Sequence, residues 1–387
     1  MMSGLRMRFV SWCCRRLWKT KPGKVLFINH TGSGYKCNPK YVCEELLRRG
    51  YAGELVWMGG LSRTARKEIP ARVACASLHG LRALWHLATA EVWVDNVSVL
   101  RFLNRGFVKK PEQIYIQTWH GSMGLKLDGL DTKTADPGTV AALKRETPLV
   151  DFCIANSEHE AQFYARNWFG PRKIVKYGHP RNDVFFRDRE PLRDKVCRRL
   201  GLSPATKLFL YAPTYRDGGT ADAELDVRST IVALEERFGG EWRFLFRPHP
   251  KAKGHGLTSV DATVINVSAY DDIQELLVAA DAMATDYSSC ICDFLLGGCP
   301  GFIFAPDLDV YANGRGLCYP LETTPFPVSR TSSALADAIR AFDADRYAEA
   351  RETFLEARGC VEDGQASARV ADLILEQTRG SNREGNM

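Results

Sequence analysis

Gln113–Gly121 reads QIYIQTWHG, a short β-branched and aromatic run that stops at a His-Gly pair. Runs of the same kind lie upstream: KVLFINH (24–30), ELVWMGG (54–60), RVACA (72–76) and EVWVDN (91–96). Between them stand segments with helical patterning, NPKYVCEELLRRG (38–50) and LHGLRALWHLATA (78–90). Strand alternating with helix predicts a parallel sheet and an α/β fold. A second cycle begins near Lys207, with LFLYAP (208–213), WRFLFRPHP (242–250), TVINVS (263–268), AMATDYSS (282–289) and PGFIFAP (300–306), and with helices around 231–237 and 273–280. Two similar α/β lobes follow, with the charged, proline-containing stretch from Asp183 to Arg193 as the crossing point and further helices after Ala334. A cleft between two such lobes is the expected place for a ligand.

A chain of 387 residues suits two such lobes. With 45% hydrophobic and 25% charged residues it should bury an ordinary core. The net charge of +6 is unevenly placed: no Asp or Glu precedes Glu44, whereas Arg6, Arg8, Arg15, Arg16, Lys19, Lys21, Lys24, Lys36 and Lys40 do. That end should seek anionic surfaces. Twelve cysteines without a signal-peptide pattern fit a reducing compartment, so the cytosolic side is expected. Cys290, Cys292 and Cys299 lack zinc-knuckle spacing and are read as buried small hydrophobes. No metal site is indicated, although a loosely held Mg²⁺ bridging phosphates would leave little trace.

From Leu5 to Trp18 large apolar residues mix with arginines, and nothing approaches the roughly 20 apolar residues of a membrane span. On a helix, Phe9, Val10, Cys13 and Leu17 would share one side and Arg8, Arg15, Arg16 and Lys19 another. This is the pattern of an interfacial helix lying among lipid headgroups, and equally of an amphipathic helix docked on its own domain or of a disordered tail.

Five polar clusters stand at expected strand ends, where open α/β sheets place ligands. They are Thr118-Trp119-His120-Gly121 with Lys126; Gly178-His179-Pro180-Arg181-Asn182-Asp183; Pro213-Thr214-Tyr215-Arg216; Arg247-Pro248-His249-Pro250; and Asp286-Tyr287-Ser288-Ser289 leading to Asp293. A histidine such as His120 can serve as a base near pH 7. Arg247 and His249, held by prolines, suit a phosphate. Ser288 and Ser289 at a helix start offer an anion site. Thr214 and Arg216 add a hydroxyl and a guanidinium, and Asp293 reads either as an orienting carboxylate or as an ordinary first-turn acid. No P-loop, HExxH or GxSxG occurs. The convergent cations, histidines and serines fit the electrostatic needs of phosphoryl transfer.

These clusters, with Asn38-Pro39-Lys40-Tyr41, resemble in order and spacing the signature series of the CDP-glycerol glycerophosphotransferase family, the teichoic acid primases and polymerases and related capsule enzymes. The resemblance covers almost the whole chain. It implies a GT-B-like fold of two Rossmann-type lobes: a membrane-associating segment 1–21, an acceptor lobe 22–185, a CDP-donor lobe 186–345 and C-terminal helices 346–387. It implies transfer of glycerol phosphate from CDP-glycerol, or of ribitol phosphate from CDP-ribitol, to a lipid-linked acceptor on the cytoplasmic face of the bacterial membrane, with release of CMP. His120 and His249 would be catalytic. Gly121, Lys126, Pro180, Arg181, Asn182, Asp183, Thr214, Arg216, Arg247, Asp286, Ser288, Ser289 and Asp293 would bind substrate. Ser122 departs from the threonine common in the family, and the short chain points to a primase or a compact capsule transferase.

Two other functions fit the same residues less fully. A GT-B nucleotide-sugar glycosyltransferase would be stabilised by a UDP- or GDP-sugar. A non-catalytic binder of anionic polymers or membranes would show salt-sensitive vesicle binding without a nucleotide effect. Nothing points to nucleic acid.

Overall fold

The structure is a computed structural model that describes residues 4–127, 137–167, 170, 172–214, 225–248, 257–258 and 262–384. Its chain forms two compact units. One comprises Met1–His120, Ala135–Asp183 and Val361–Met387, the other Gly121–Thr134 and Val184–Cys360.

The first unit is built on β1 (Lys21–Ser33), β2 (Leu55–Gly60), β3 (Ala74–Ala76), β4 (Ala90–Asp95), β5 (Ile114–Gln117), β6 (Phe152–Ala155) and β7 (Lys173–Lys176). All pairings are parallel, in the order β3-β2-β1-β4-β5-β6-β7. The sheet is therefore a Rossmann sheet whose strand order reverses between β1 and β4. Val25–Ile28 of β1 and Val92–Val94 of β4 are solvent-free. Helices cover both faces of such a sheet, which is why these strands read as continuous apolar runs. Val42 and Leu46 of the helix Cys37–Arg48 share a core with Val370, Ala371 and Ile374 of the helix Ala366–Glu384.

The second unit repeats the plan with β8 (Lys207–Tyr211), β9 (Leu225–Asp226), β10 (Trp242–Phe246), β11 (Leu257–Thr258), β12 (Val264–Asn266), β13 (Ala282–Thr285), β14 (Gly301–Phe304) and β15 (Val328–Ser329). Six strands form a parallel sheet in the order β12-β10-β8-β13-β14-β15, reversing between β8 and β13. β9 and β11 pair apart from it.

The chain is partitioned differently from its linear reading. The expected C-terminal stretch 346–387 is divided, because Tyr347 and Phe354 enter the second unit's core whereas Val370 and Ile374 enter the first's. The segment after His120 belongs to the second unit, where Lys126 bridges Leu317 and Cys318 N donates to Leu125 O at 3.0 Å.

The amino-terminal segment forms an α-helix, Gly4–Trp12, followed by a π-helical turn, Cys13–Leu17, closed by Trp18 N–H donating to Cys13 O at 2.9 Å. The wider turn rotates the residues after Cys13 out of α-helical register. Leu17 is thereby parted from the expected apolar stripe, and Phe9, on the α-helix before the turn, is exposed as well. Val10, Cys13 and Cys14 are buried, whereas Phe9, Trp12 and Leu17 are 57%, 53% and 57% exposed.

Candidate active site

β5 ends at Gln117, and the turn after it is fixed from three directions. Thr118 donates its N–H (2.8 Å) and its hydroxyl (3.1 Å) to Asp95 O at the end of β4. Gln117 Oε1 accepts Trp119 N–H at 2.9 Å. Asn38 Nδ2 donates to the carbonyls of Thr118 (2.9 Å) and Trp119 (3.0 Å). These bonds hold Trp119 at φ 51°, a left-handed conformation costing about 1–2 kcal/mol for a residue with a Cβ. His120 follows, and its Nδ1 lies 2.8 Å from Asn96 O. A carbonyl oxygen only accepts, so Nδ1 carries the proton and the lone pair of the neutral ring sits on Nε2. That is the tautomer a general base needs.

Asn38 also connects a second cluster, since its Oδ1 accepts Arg181 N–H at 3.1 Å. The Pro180–Asp183 turn is pinned by the returning C-terminal segment. Asp183 accepts the N–H groups of Ala366 (2.9 Å) and Ser367 (2.8 Å) at the start of the last helix, and Pro180 O accepts the Ser367 hydroxyl (3.2 Å). Glu362 accepts His179 N–H and Asn182 Nδ2–H at 3.1 and 2.8 Å. Gly178, at φ +82°, leaves room for that carboxylate, because a Cβ there would stand 2.7 Å from Glu362 Oε2.

In the second unit, the buried Cys290 bonds Ser288 and feels the charges of Lys126, Asp286 and Asp293. Burial pushes its thiol up to about 11, against a hydrogen bond with Ser288 and the field of Lys126, while Asp293 and Asp286 add to the rise. Asp286 bridges β8 and β13, accepting Thr214 N–H (2.9 Å), Thr214 O–H (2.5 Å) and Tyr287 N–H (2.5 Å). Gln274 Nε2 donates to Asp293 Oδ2 at 3.3 Å. Ser289 occupies the position before the helix Cys290–Leu295 without a side-chain capping bond.

Arg247 directs Nη1 to the carbonyls of Val267 (2.9 Å) and Tyr270 (2.6 Å), and burial lowers its pKa. Its guanidinium thus braces the 267–271 turn. His249 and Arg216 lie outside the described residues. Lys126, expected beside His120, is placed in the second unit by its bridge to Leu317. Among the described residues no group of three or more His, Cys, Asp or Glu side chains is arranged to hold a metal ion. Sequence reasoning placed Asn38 in a matching motif but missed its bonds to distant backbone, and it missed Asn96, whose own carbonyl meets a side chain 24 positions on.

Two Rossmann-type units, with a histidine of fixed tautomer in the turn that follows one strand, make a GT-B-like α/β fold. A family model described as CDP-glycerol:poly(glycerophosphate) glycerophosphotransferase matches residues 9–376, and the chain belongs to that family. It is 29% identical over 372 residues to a teichoic acid poly(glycerol phosphate) polymerase of Staphylococcus epidermidis, covering 92% of this chain and 50% of that protein. It is 29% identical over 375 residues to a teichoic acid glycerol-phosphate transferase of Staphylococcus aureus, covering 91% and 92%. The chain thus spans about half of the first relative and nearly all of the second. Among solved structures, the wall teichoic acid polymerase TagF superimposes with a TM-score of 0.81 at 25% identity, covering 97% of this chain and 95% of that one.

Proposed function

We propose that this chain transfers glycerol phosphate, or a related polyol phosphate, from a CDP-linked donor to a hydroxyl of a lipid-linked polymer of the teichoic acid or capsule type, releasing CMP. The observation that carries this is the His120 ring, whose Nδ1 is bonded to Asn96 O so that Nε2 offers the lone pair. The acceptor oxygen forms a bond to the phosphorus of the polyol phosphate, the bond from that phosphorus to the CMP oxygen breaks, and the hydroxyl proton passes to Nε2.

Lys126, Thr214, Ser288 and Ser289, with Arg216 and His249, are assigned to the donor's phosphates, whose developing charge needs cations and hydrogen-bond donors. Asp183, Arg247 and Asp286 are assigned to positioning the loops that carry those groups, since their charged atoms are engaged with backbone. Asp293 orients the helix start through Gln274. Gly121 and Pro180–Asn182 shape the turns tied to Asn38.

The enzyme works at an anionic membrane surface on this proposal. Among the described residues no helix is long and apolar enough to cross a membrane. Phe9 and Trp12, stacked at 6.3 Å between centroids, stand exposed with Leu17, Arg8, Arg15, Arg16 and Lys19, the combination that lies among headgroups.

The test is nucleotide release from CDP-glycerol, CDP-ribitol, UDP-glucose and GDP-mannose with a glycerol-phosphate-primed lipid acceptor. CMP from one CDP-polyol, only with acceptor present, is the expected result. His120→Ala should lower kcat by about 10²–10⁴. Retention within about tenfold removes His120 from the role of base, and release of UDP or GDP replaces the assignment with glycosyl transfer.

A further inference from the structure

Asp95, Tyr115 and Glu146 meet directly behind the His120 turn. Tyr115 Oη lies 3.2 Å from Asp95 Oδ2, 3.1 Å from Glu146 Oε1 and 3.1 Å from Gln117 Nε2. Asp95 and Tyr115 are solvent-free. Asp95 Oδ1 accepts the N–H groups of Asn96 (2.7 Å) and Val97 (3.2 Å). Glu146 accepts Val99 N–H (2.6 Å) and the Ser98 hydroxyl (2.5 Å).

Counting protons decides the state of this group. Gln117 donates to the phenol oxygen, and the phenol has one proton to give. If it goes to Glu146, whose oxygens already receive two donors, the contact with Asp95 Oδ2 is a hydrogen bond only when that oxygen carries a proton. With both carboxyls ionised, the solvent-free Asp95 and the part-buried Glu146 would be two anions facing a single O–H, an arrangement that burial penalises.

We propose that Asp95 is a positioning residue kept as the neutral acid, donating to Tyr115, which donates to Glu146, and that this chain of bonds holds the Asn96 carbonyl against His120 Nδ1. The proposal rests on His120 as the base. Asp95 is suited to the task because its own carbonyl receives both donors of Thr118 and its neighbour supplies the carbonyl that fixes the ring. Gln117, which donates to the same phenol, also holds Trp119 N–H. Ionising Asp95 would leave one phenol proton between two carboxylates, so that one of the two links is lost and the turn that aims His120 is loosened.

Burial, and then the charge of Glu146, raise Asp95 from 3.8 to about 7, and burial raises Glu146. Among the described residues the titratable groups around Asp95 are Glu146 from the helix Pro137–Glu146, Tyr115 from β5, and His120 beyond Asn96. Because the folded value lies above the ordinary one, the folded protein binds the extra proton. The stability this group contributes is full below pH 4 and is lost as pH rises towards about 7.

Two measurements on the full-length protein test this. In carboxyl ¹³C NMR of aspartate-labelled enzyme, one resonance should titrate near neutrality, persist in His120→Ala, disappear in Asp95→Asn and move to lower pH in Glu146→Gln. In turnover, Asp95→Ala should lower kcat by about 10²-fold, the scale of a misaimed catalytic group. Asp95→Asn, whose amide N–H replaces the acid O–H, should recover most of that loss and should lack the fall in kcat that the wild type shows above about pH 7. An aspartate signal set fully ionised at pH 5.5 would overturn the proposal, as would a folded Asp95→Asn no more active than Asp95→Ala. Should Asp95→Asn fail to fold, the titration of wild type against Glu146→Gln decides alone. Full turnover in His120→Ala would end the base assignment while leaving the neutral-range aspartate resonance as a separate fact.

Discussion

The two sheets reverse their strand order at equivalent places, and the reversals are bridged by opposite chemistry. Between β1 and β4, Asn96 Nδ2 donates to Asn29 Oδ1 at 2.9 Å, a neutral amide pair. Between β8 and β13, the Asp286 carboxylate gathers the N–H and hydroxyl of Thr214 and the N–H of Tyr287. The neutral bridge places no charge of its own on the residue whose carbonyl meets His120 Nδ1. A carboxylate bridge instead collects backbone donors and locks two loops into one piece. The same topology thus carries the proposed base in one unit and, in the other, a rigid support for the loops proposed to bind phosphate.

The sharpest way to break the contrast is to remove Asn38, which holds the turn before His120. Asn38→Ala leaves the carbonyls of Thr118 and Trp119 and the N–H of Arg181 without that partner, and should lower kcat about 10- to 100-fold with a smaller change in KM, measured by CMP release. Next come the bridges themselves. Asp286→Ala strands buried donors and should cost about 2–3 kcal/mol in urea unfolding, whereas Asn29→Ala, which removes a neutral partner of Asn96, should cost about 1 kcal/mol. Equal costs would erase the distinction between the bridges. Smallest is the effect of Phe9→Ser with Trp12→Ser. Both side chains are exposed, so stability should stay within about 0.5 kcal/mol while binding to anionic vesicles weakens. Unchanged vesicle binding would detach the membrane role from this segment.

Much of this was legible because it is local. The apolar runs at 24–30, 91–96 and 208–213 became central strands, and the polar residues at their ends became the turns that matter. What escaped was long-range. Asn38 acts on residues 80 and 143 positions away, and Asp183 acts on a helix start 183 positions on. No periodicity encodes such a bond. Asp183, Arg247 and Asp286 each carried the right charge at a strand end for ligand binding, yet each is engaged with backbone. The amino-terminal stripe was misjudged for a different reason. A π turn changes the angular step between residues, so a helical wheel drawn at 100° assigns Val10 and Leu17 to one side when only Val10 is buried.

The path of the chain has a consequence for synthesis. The first unit lacks Val370, Ala371 and Ile374 in its core, the Glu362 acceptor and the helix start that Asp183 binds until residues 361–384 have been made. The second unit ends at Cys360. On the ribosome, the unit that holds His120 is therefore begun first and completed last, and the part of its core that the last helix covers stays open until then. A nascent chain stalled before residue 361 should carry a protease-resistant second unit on an unfinished first one.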